Sequence, residues 1–409
     1  MRNVPLKITF VNRYFYPDHS ATSQLLSDLA FDLAHQGLEV EVVTSRQLYD
    51  KSAAALESET DINGVHVWRV WTTRMGRQQL LGRAIDYLTF YLSAAWRLIV
   101  ITRSGDIVVA MTDPPLISVV AAVVVKLRGA KLVNWVQDLF PEVAIALSVR
   151  IPASVGKLAV KIRNWSLRQA CSNVALGERM AKCLLDNGIP FSQIGIIHNW
   201  SSEDHIVPLS RDVNQFRGQW GLKDKFVVGY SGNMGRAHEF DTILGAAQSL
   251  LDDERVVFLF IGGGAQKSYI EEQAKVRRLT NVVFKPYQPR KDLALSLCVP
   301  DIHLISLFPE LEGLIVPSKF YGIAAAGRPT IYIGDLDGEI PRILRDGGCG
   351  EVVEIGSSNS LYEIIHSHAG QYDEIRAMGK RARQIFERRF TSRRALNNWV
   401  DVLDRAARA

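Results

Sequence analysis

The sequence predicts an α/β protein of two doubly wound domains facing across a cleft, and three observations carry that expectation. Short β-branched runs alternate with helix-period segments along most of the chain, the pattern of parallel sheet covered by helices. The alternation stops over one polar stretch, residues 201–225, and then restarts. The chain has 409 residues, more than a single core usually serves.

In the first half the strands are expected at KITFV (7–11), VEVVTS (40–45), VHVWRV (65–70), DIVVAM (106–111), KLVNWV (131–136), NVALG (173–177) and IGIIHN (194–199). The stretch SSEDHIVPLSRDVNQFRGQWGLKDK, with Pro208 and Gly218 inside it, reads as the crossing. A second set follows at FVVGYSG (226–232), VVFLFIGGG (256–264), NVVFKPY (281–287), DIHLISL (301–307) and PTIYIG (329–334). The chain then ends in helix-period sequence. The domains are accordingly drawn as 1–203 and 204–387, with a C-terminal helix over 388–409 packing back on the first.

Composition narrows the function classes. Apolar residues make up 47% and charged residues 22%, ordinary for a soluble globular protein. A net charge of +5 is too small by itself to argue for nucleic acid, and none is expected as a partner. Cys171, Cys183, Cys298 and Cys349 include no CxxC pair, so a reduced, cytoplasmic chain is the expectation. The opening MRNVPLKITFVNRYF lacks the apolar core of a signal peptide. The longest apolar run, Leu116 to Val125 broken only by Ser118, is too short to span a bilayer, and no transmembrane helix is expected.

The loops after the strands are the candidate sites. PELEGLIVPSKFYGIAAAGRPTIYIG runs from Pro309 to Gly334. Pro317 suits a first helical turn, Gly313 admits close approach to the backbone, and Lys319 adds charge at a helix start. That combination suits a diphosphate; the alternative is an ordinary loop with a solvated lysine. Glu310 is the acid chosen to receive sugar hydroxyls, with Glu312 solvated. GYSGNMGRAHEF (229–240) offers Gly232 and Gly235 for access and Asn233, Arg236 and His238 as polar groups, Arg236 as a phosphate clamp. IGGGAQKSY (261–269) is a poor dinucleotide fingerprint, because Lys267 stands where the third glycine belongs. Asp335-Leu336-Asp337 reads as a turn, and no metal is expected.

In the first half, Ser20, Ala21 and Thr22 form the tip of a loop that opens a helix. WVQDLFPEVA (135–144) places Asp138 at a strand's C-terminal end, as a catalytic carboxylate or a helix cap, with Glu142 close behind.

Together these stretches resemble a family. YFYPDHSATSQLLSDLAFDLAHQGLEVEVVTS, WVQDLFPE, IIHNWSSEDHIVPL, YSGNMGRAHEF and ELEGLIVPSKFYGIAAAGRP occur in the order and spacing of GT-B glycosyltransferases of family 4. The chain is most similar to the bacterial branch that builds exopolysaccharide, colanic-acid and O-antigen repeat units. The resemblance implies two Rossmann-like domains, the later one holding a nucleotide-sugar donor, with UDP the preferred base and no cofactor. It puts Glu310 on the donor sugar and the Gly313 and Leu314 backbone on the phosphates. The family's second acid falls on Ser318, beside Lys319, and its clamp Arg and Lys fall on Asn233 and His238. Lys319 and Arg236 are then expected to supply the missing charge, and Tyr287 to stack near the base. The family's twin glycines fall near Ala21 and Thr22, and its histidine before the acid is Gln137. It implies retention of configuration, with Asp138 positioning the acceptor.

A polyprenyl-diphosphate-linked acceptor would require contact with the inner membrane face. Residues 74–103 carry Arg74, Arg77, Arg83, Arg97 and Arg103 against Asp86 alone, and 150–168 carry Arg150, Lys157, Lys161, Arg163 and Arg168 with no acid. Apolar residues interleave, which suits anionic lipid, or two helices packing on a sheet. The rival readings are a nucleotide-sugar 2-epimerase, a non-catalytic nucleotide-sugar binder and an NAD-linked enzyme.

Overall fold

The structure is a computed structural model that describes residues 7–49, 56–75 and 80–409. Residues 1–6 at the expected N-terminal lead and Arg77 of the first basic segment lie outside the described residues. The chain divides into two compact units, Met1–His198 with Arg393–Ala409, and Asn199–Ser392.

The first unit runs β1 (Lys7–Val11), α1 (Ala21–His35), β2 (Glu39–Ser45), β3 (Glu59–Ile62), β4 (Val65–Val70), α2 (Leu80–Ile101), β5 (Ile107–Ala110), α3 (Ile117–Arg128), β6 (Lys131–Trp135), α4 (Glu142–Ala146), α5 (Ala153–Arg168), β7 (Ser172–Ala175), α6 (Glu178–Asp186) and β8 (Ile194–Ile196). Its sheet has the order β3-β4-β2-β1-β5-β6-β7-β8. All neighbours are parallel except β3 and β4. Strands β1 and β5 are buried along their whole length, as continuous apolar runs require when both faces are covered.

The second unit runs α7 (Gln215–Gln219), β9 (Phe226–Asn233), α8 (Asp241–Ser249), β10 (Val256–Gly263), α9 (Lys267–Val276), β11 (Val282–Lys285), α10 (Leu293–Leu297), β12 (Ile302–Ser306), α11 (Lys319–Ala325), β13 (Thr330–Ile333), α12 (Glu339–Gly347), β14 (Gly350–Val353), α13 (Ser358–His368) and α14 (Tyr372–Arg389). Its sheet is wholly parallel in the order β11-β10-β9-β12-β13-β14. The last helix, α15 (Ser392–Arg408), belongs almost entirely to the first unit. There Trp399 is fully buried against Trp135, ring centroids 4.7 Å apart.

Both sheets reverse strand order at one place, between β1 and β5 and between β9 and β12. Ligands in open α/β sheets bind beyond the strand C-termini at such a switch point. The loops after β9 and β12 flank the switch of the second unit. Those after β1 and β5 flank that of the first, with the β6 loop and Asp138 next to it.

Two strands go beyond the sequence expectation, β3 and β14. Strand β3 joins β4 through Asn63-Gly64, whose φ values are +50° and +80°, the left-handed pair a tight hairpin needs. The expectation of no membrane-length helix also needs correcting. Leu81–Ile101 is long and apolar enough to cross a bilayer by length and composition. Arg83, Asp86 and Arg97 break its apolar runs and hid it. Helix α2 nonetheless packs Phe90, Ala94 and Leu98 into the core formed with Val43, Val108 and Ala121, as the core helix of a globular unit does.

Candidate active site

The site in the second unit is built around Lys319, the first residue of α11. Its Nζ donates to the Tyr230 hydroxyl, lies 3.4 Å from the Asn233 carbonyl and 3.5 Å from His238 Nε2. It also sits 4.0 Å from the centroid of the Tyr230 ring. Every one of these partners is neutral. The Tyr230 hydroxyl donates a hydrogen bond to the Asn233 carbonyl at 3.1 Å, and burial pushes its phenol well above the usual range. His238 donates from Nδ1 to Ser306 O at 2.5 Å. Burial first, and the Lys319 charge second, hold its pKa down to about 3, so the ring turns a lone pair towards the lysine. Burial lowers the Lys319 pKa to about 7. Among the described residues no carboxylate pairs with it. A desolvated cation with only neutral acceptors is incompletely compensated, and an anion completes it.

Gly232 lies over this cluster, with Lys319 Cε 3.8 Å from where its Cβ would be. The Gly262–Gly264 run, which resembled a dinucleotide loop, has a structural reason. A Cβ at Gly262 would meet the Gly232 carbonyl at 2.2 Å, and one at Gly264 the Asn233 side chain at 2.4 Å. These glycines let the end of β10 lie on the end of β9, held by Met234 N–H to Gly263 O at 2.7 Å. Tyr287 lies across Gly262 and Gly263, its hydroxyl 3.3 Å from Gly263 O, and stays exposed.

The remaining expected donor residues divide. Glu310 is exposed and makes no hydrogen bond or ion pair among the described residues. Glu312, expected to be solvated, is instead a structural acceptor for Glu339 N–H at 2.7 Å and Tyr332 OH at 3.0 Å, so it caps α12. Gly313 has φ +77°, which a β-carbon would strain. The Leu314 N–H donates to Leu311 O at 3.0 Å within the loop. Ser318 opens α11 without a side-chain cap bond, and that helix has only seven residues; charge here comes from Lys319 more than from a dipole. Arg236 is exposed, and its side chain has no hydrogen bond or ion pair among the described residues. Tyr230 and Ser306 complete the site with the carbonyl of the expected Asn233; these two were not singled out from the sequence, because only the strand pairing brings them to Lys319. Asp335 Oδ1 accepts from Asp337 N–H, and Asp337 pairs with Arg342 and Arg345, a turn that starts α12.

In the first unit, Asp138 follows β6. Thr112 Oγ1 accepts from the Gln137 and Asp138 N–H groups at 3.2 and 3.3 Å, which fixes the loop. Asp138 Oδ1 is shielded from solvent and has no hydrogen-bond partner among the described residues. Its pKa rises to about 7, chiefly from burial, with Asp113 adding and a Thr112 hydrogen bond opposing. It lines a cavity of about 20 Å³ with Thr112, Ser118 and Asn134, room for about one water. Glu142 lies close by, but its carboxylate is held by Arg163 at 2.5 Å. Arg163 is 5% exposed and bonds the Phe140 carbonyl as well. It therefore leaves the set of surface cations, and Glu142 has a structural role. Ser20 precedes α1 with its N–H on Asp18 Oδ1 at 2.8 Å and its buried hydroxyl without a partner among the described residues. Ala21 and Thr22 are the first residues of α1.

Comparison with known proteins adds the following. Residues 22–200 match the family described as glycosyl transferase 4-like domain, and residues 212–385 the family of glycosyl transferases group 1. The chain is 27% identical over 278 residues to a probable glycosyltransferase, WbjE, of Pseudomonas aeruginosa, covering 68% of this chain and 69% of that one. It is 24% identical to WcaI of Escherichia coli K12, a putative colanic acid biosynthesis glycosyl transferase, covering 83% of this chain and 86% of that one. Among solved structures it resembles HepE of Anabaena in complex with UDP-glucose, with TM-score 0.73, 16% identity and coverage of 98% and 99%. It also resembles WaaG, a glycosyltransferase involved in lipopolysaccharide biosynthesis, with TM-score 0.71, 14% identity and coverage of 95% and 98%.

Proposed function

Because the chain belongs to the glycosyltransferases, with a 4-like first domain and a group 1 second domain, we propose that it moves a sugar from a UDP-sugar to a lipid-linked or saccharide acceptor with retention of configuration. The chain is a glycosyltransferase, and its likeness to WcaI supports a place in polysaccharide biosynthesis. The observation that carries the proposal is the Lys319 ammonium at the β9/β12 switch point, surrounded by neutral acceptors. A diphosphate is the anion of the right kind for it, and the UDP-glucose complex of HepE supports a UDP-sugar.

The chemistry follows from charge. Breaking the bond between the anomeric carbon and the diphosphate leaves negative charge on the leaving oxygen. Lys319 would neutralise that charge, and such electrostatic stabilisation is often the largest catalytic contribution. His238, neutral and fixed by Ser306, orients the ammonium. Glu310 receives donor-sugar hydroxyls, and Tyr287 offers a face to the base. On the acceptor side Asp138, poised near neutrality, would orient the attacking hydroxyl, whose proton goes to the leaving diphosphate. The reading invokes no metal or cofactor.

A lipid-linked acceptor implies a chain that works at the inner membrane face. Helix α2 supports this. While Phe90, Ala94 and Leu98 face the core, Leu81, Leu88, Leu92, Trp96 and Val100 are exposed, Trp96 at 70%. Val155 and Leu158 of α5 are exposed too, beside the exposed Lys157 and Lys161. Apolar side chains rimmed by cations suit an anionic bilayer surface.

The test is incubation of the purified chain with a panel of nucleotide sugars, with and without a lipid-diphosphate extract, and mass analysis of the products. Transfer of one hexosyl mass to the extract is expected. A new nucleotide sugar formed without acceptor would instead establish the epimerase.

A further inference from the structure

The first unit holds a second pocket, of about 370 Å³, that the reading above does not use. Its size falls in the range of small-molecule sites. It opens where β2 and β4 end, and its walls include Arg46, Gln47, Trp71, Thr72 and Arg74. Three observations mark it as built. Thr72 is 5% exposed and its Oγ1, shielded from solvent, finds no hydrogen-bond partner among the described residues, a cost carried in the wall of the pocket. Trp71 beside it is 61% exposed, a large indole face turned to solvent. The frame is held on both sides: Gln47 Nε2 donates to Thr73 O at 2.7 Å, Arg46 Nε to Leu56 O at 2.9 Å. Asp86 of α2 accepts from Thr73 Oγ1 at 2.6 Å and Met75 N–H at 2.9 Å.

We propose that this pocket is a saccharide subsite that seats a pyranose ring of the acceptor. A pyranose has an apolar face of C–H groups and a rim of hydroxyls. The indole of Trp71 matches the face, and the Arg46 guanidinium matches the rim. The same strand exit is anchored to α2 by Asp86, and α2 carries the exposed apolar row from Leu81 onward. The pocket thus joins a polar sugar site to an apolar helix face, the two halves of an amphiphilic acceptor. The assignment rests on the reading that the chain extends a saccharide.

Saturation-transfer NMR with methyl pyranosides of glucose, galactose, mannose, fucose and N-acetylglucosamine at millimolar concentration tests it. At least one should show ring-proton saturation that UDP does not displace. Trp71→Ala should weaken that binding at least tenfold, and Trp71→Phe should retain most of it. UDP affinity, measured in the same samples, should be unchanged in both variants. In transfer assays with the lipid extract, Trp71→Ala should raise the half-saturating extract concentration about tenfold with little change in kcat. The subsite is overturned if no glycoside gives a Trp71-dependent signal while UDP binds, or if geranyl diphosphate binds there in an Arg46-dependent, Trp71-independent way. Glycoside binding without UDP binding would leave the subsite standing and remove the donor reading.

Discussion

At the scale of single residues the functional reading turns on a lysine whose charge is not settled until its ligand arrives. Burial holds Lys319 near pH 7, and a bound diphosphate favours the ammonium. Between pH 7 and the higher pKa of the complex, binding therefore takes up a proton, and UDP affinity should fall by up to about tenfold per pH unit. Calorimetry in buffers of differing ionisation enthalpy should detect the uptake at pH 8, and Lys319→Met should abolish it. Asp138 makes the opposite argument. Its folded pKa, about 7, is above the unfolded value, so its stabilising contribution is present in acid and is lost as pH rises through 7. Asp138→Asn should raise the melting temperature at pH 8 while lowering turnover by about two orders of magnitude. Near-full turnover in that variant would remove Asp138 from the machinery. Asp138 and the glycine-bearing loops could be picked from the sequence because each follows a strand, and Lys319 because it opens the helix after the β12 loop. The neutrality of His238 was not, since it comes from burial and from the charge of Lys319, 81 residues away. The same holds for Glu312, whose partner Glu339 lies 27 residues on.

At the scale of elements, Glu312 is a cap placed from outside its helix. Glu312→Ala should cost about 1–2 kcal/mol and lower the melting temperature by a few degrees, by calorimetry. Glu310→Ala, by contrast, should impair transfer and leave melting unchanged. Helix α2 shows why patterning misled. A helix apolar on two faces reads as a poor amphipath, and its scattered charges, one of them buried in Asp86, broke the runs that mark membrane-length segments. Trp96→Glu should reduce binding to phosphatidylglycerol vesicles in a flotation assay several-fold, and unaltered flotation would count against the bilayer reading. Strand β3 went unread although Asn63-Gly64 is a strong hairpin signal, because its own sequence, Glu59-Thr60-Asp61-Ile62, is mostly polar. As an edge strand with half-exposed residues it needs no apolar run.

At the scale of the whole molecule, alternation of strand and helix sufficed for two doubly wound sheets, since buried strands are apolar and most parallel crossovers are helical; the link from β2 to β4, through β3, is one that is not. Helix α15 lies almost entirely in the first unit, where its anchor, Trp399 on Trp135, fixes it. Trp399→Ala should cost about 3–5 kcal/mol and lower a melting transition that UDP does not shift, because ligand stabilises only the unit that binds it. The central claim is that the second unit holds the donor diphosphate through Lys319. Isothermal titration of UDP into the intact chain and into Lys319→Ala at pH 7 tests it most directly. The account predicts binding to the wild type and a loss of at least tenfold in the variant, the size expected for a charge-assisted hydrogen bond. Equal affinity for both proteins would contradict it.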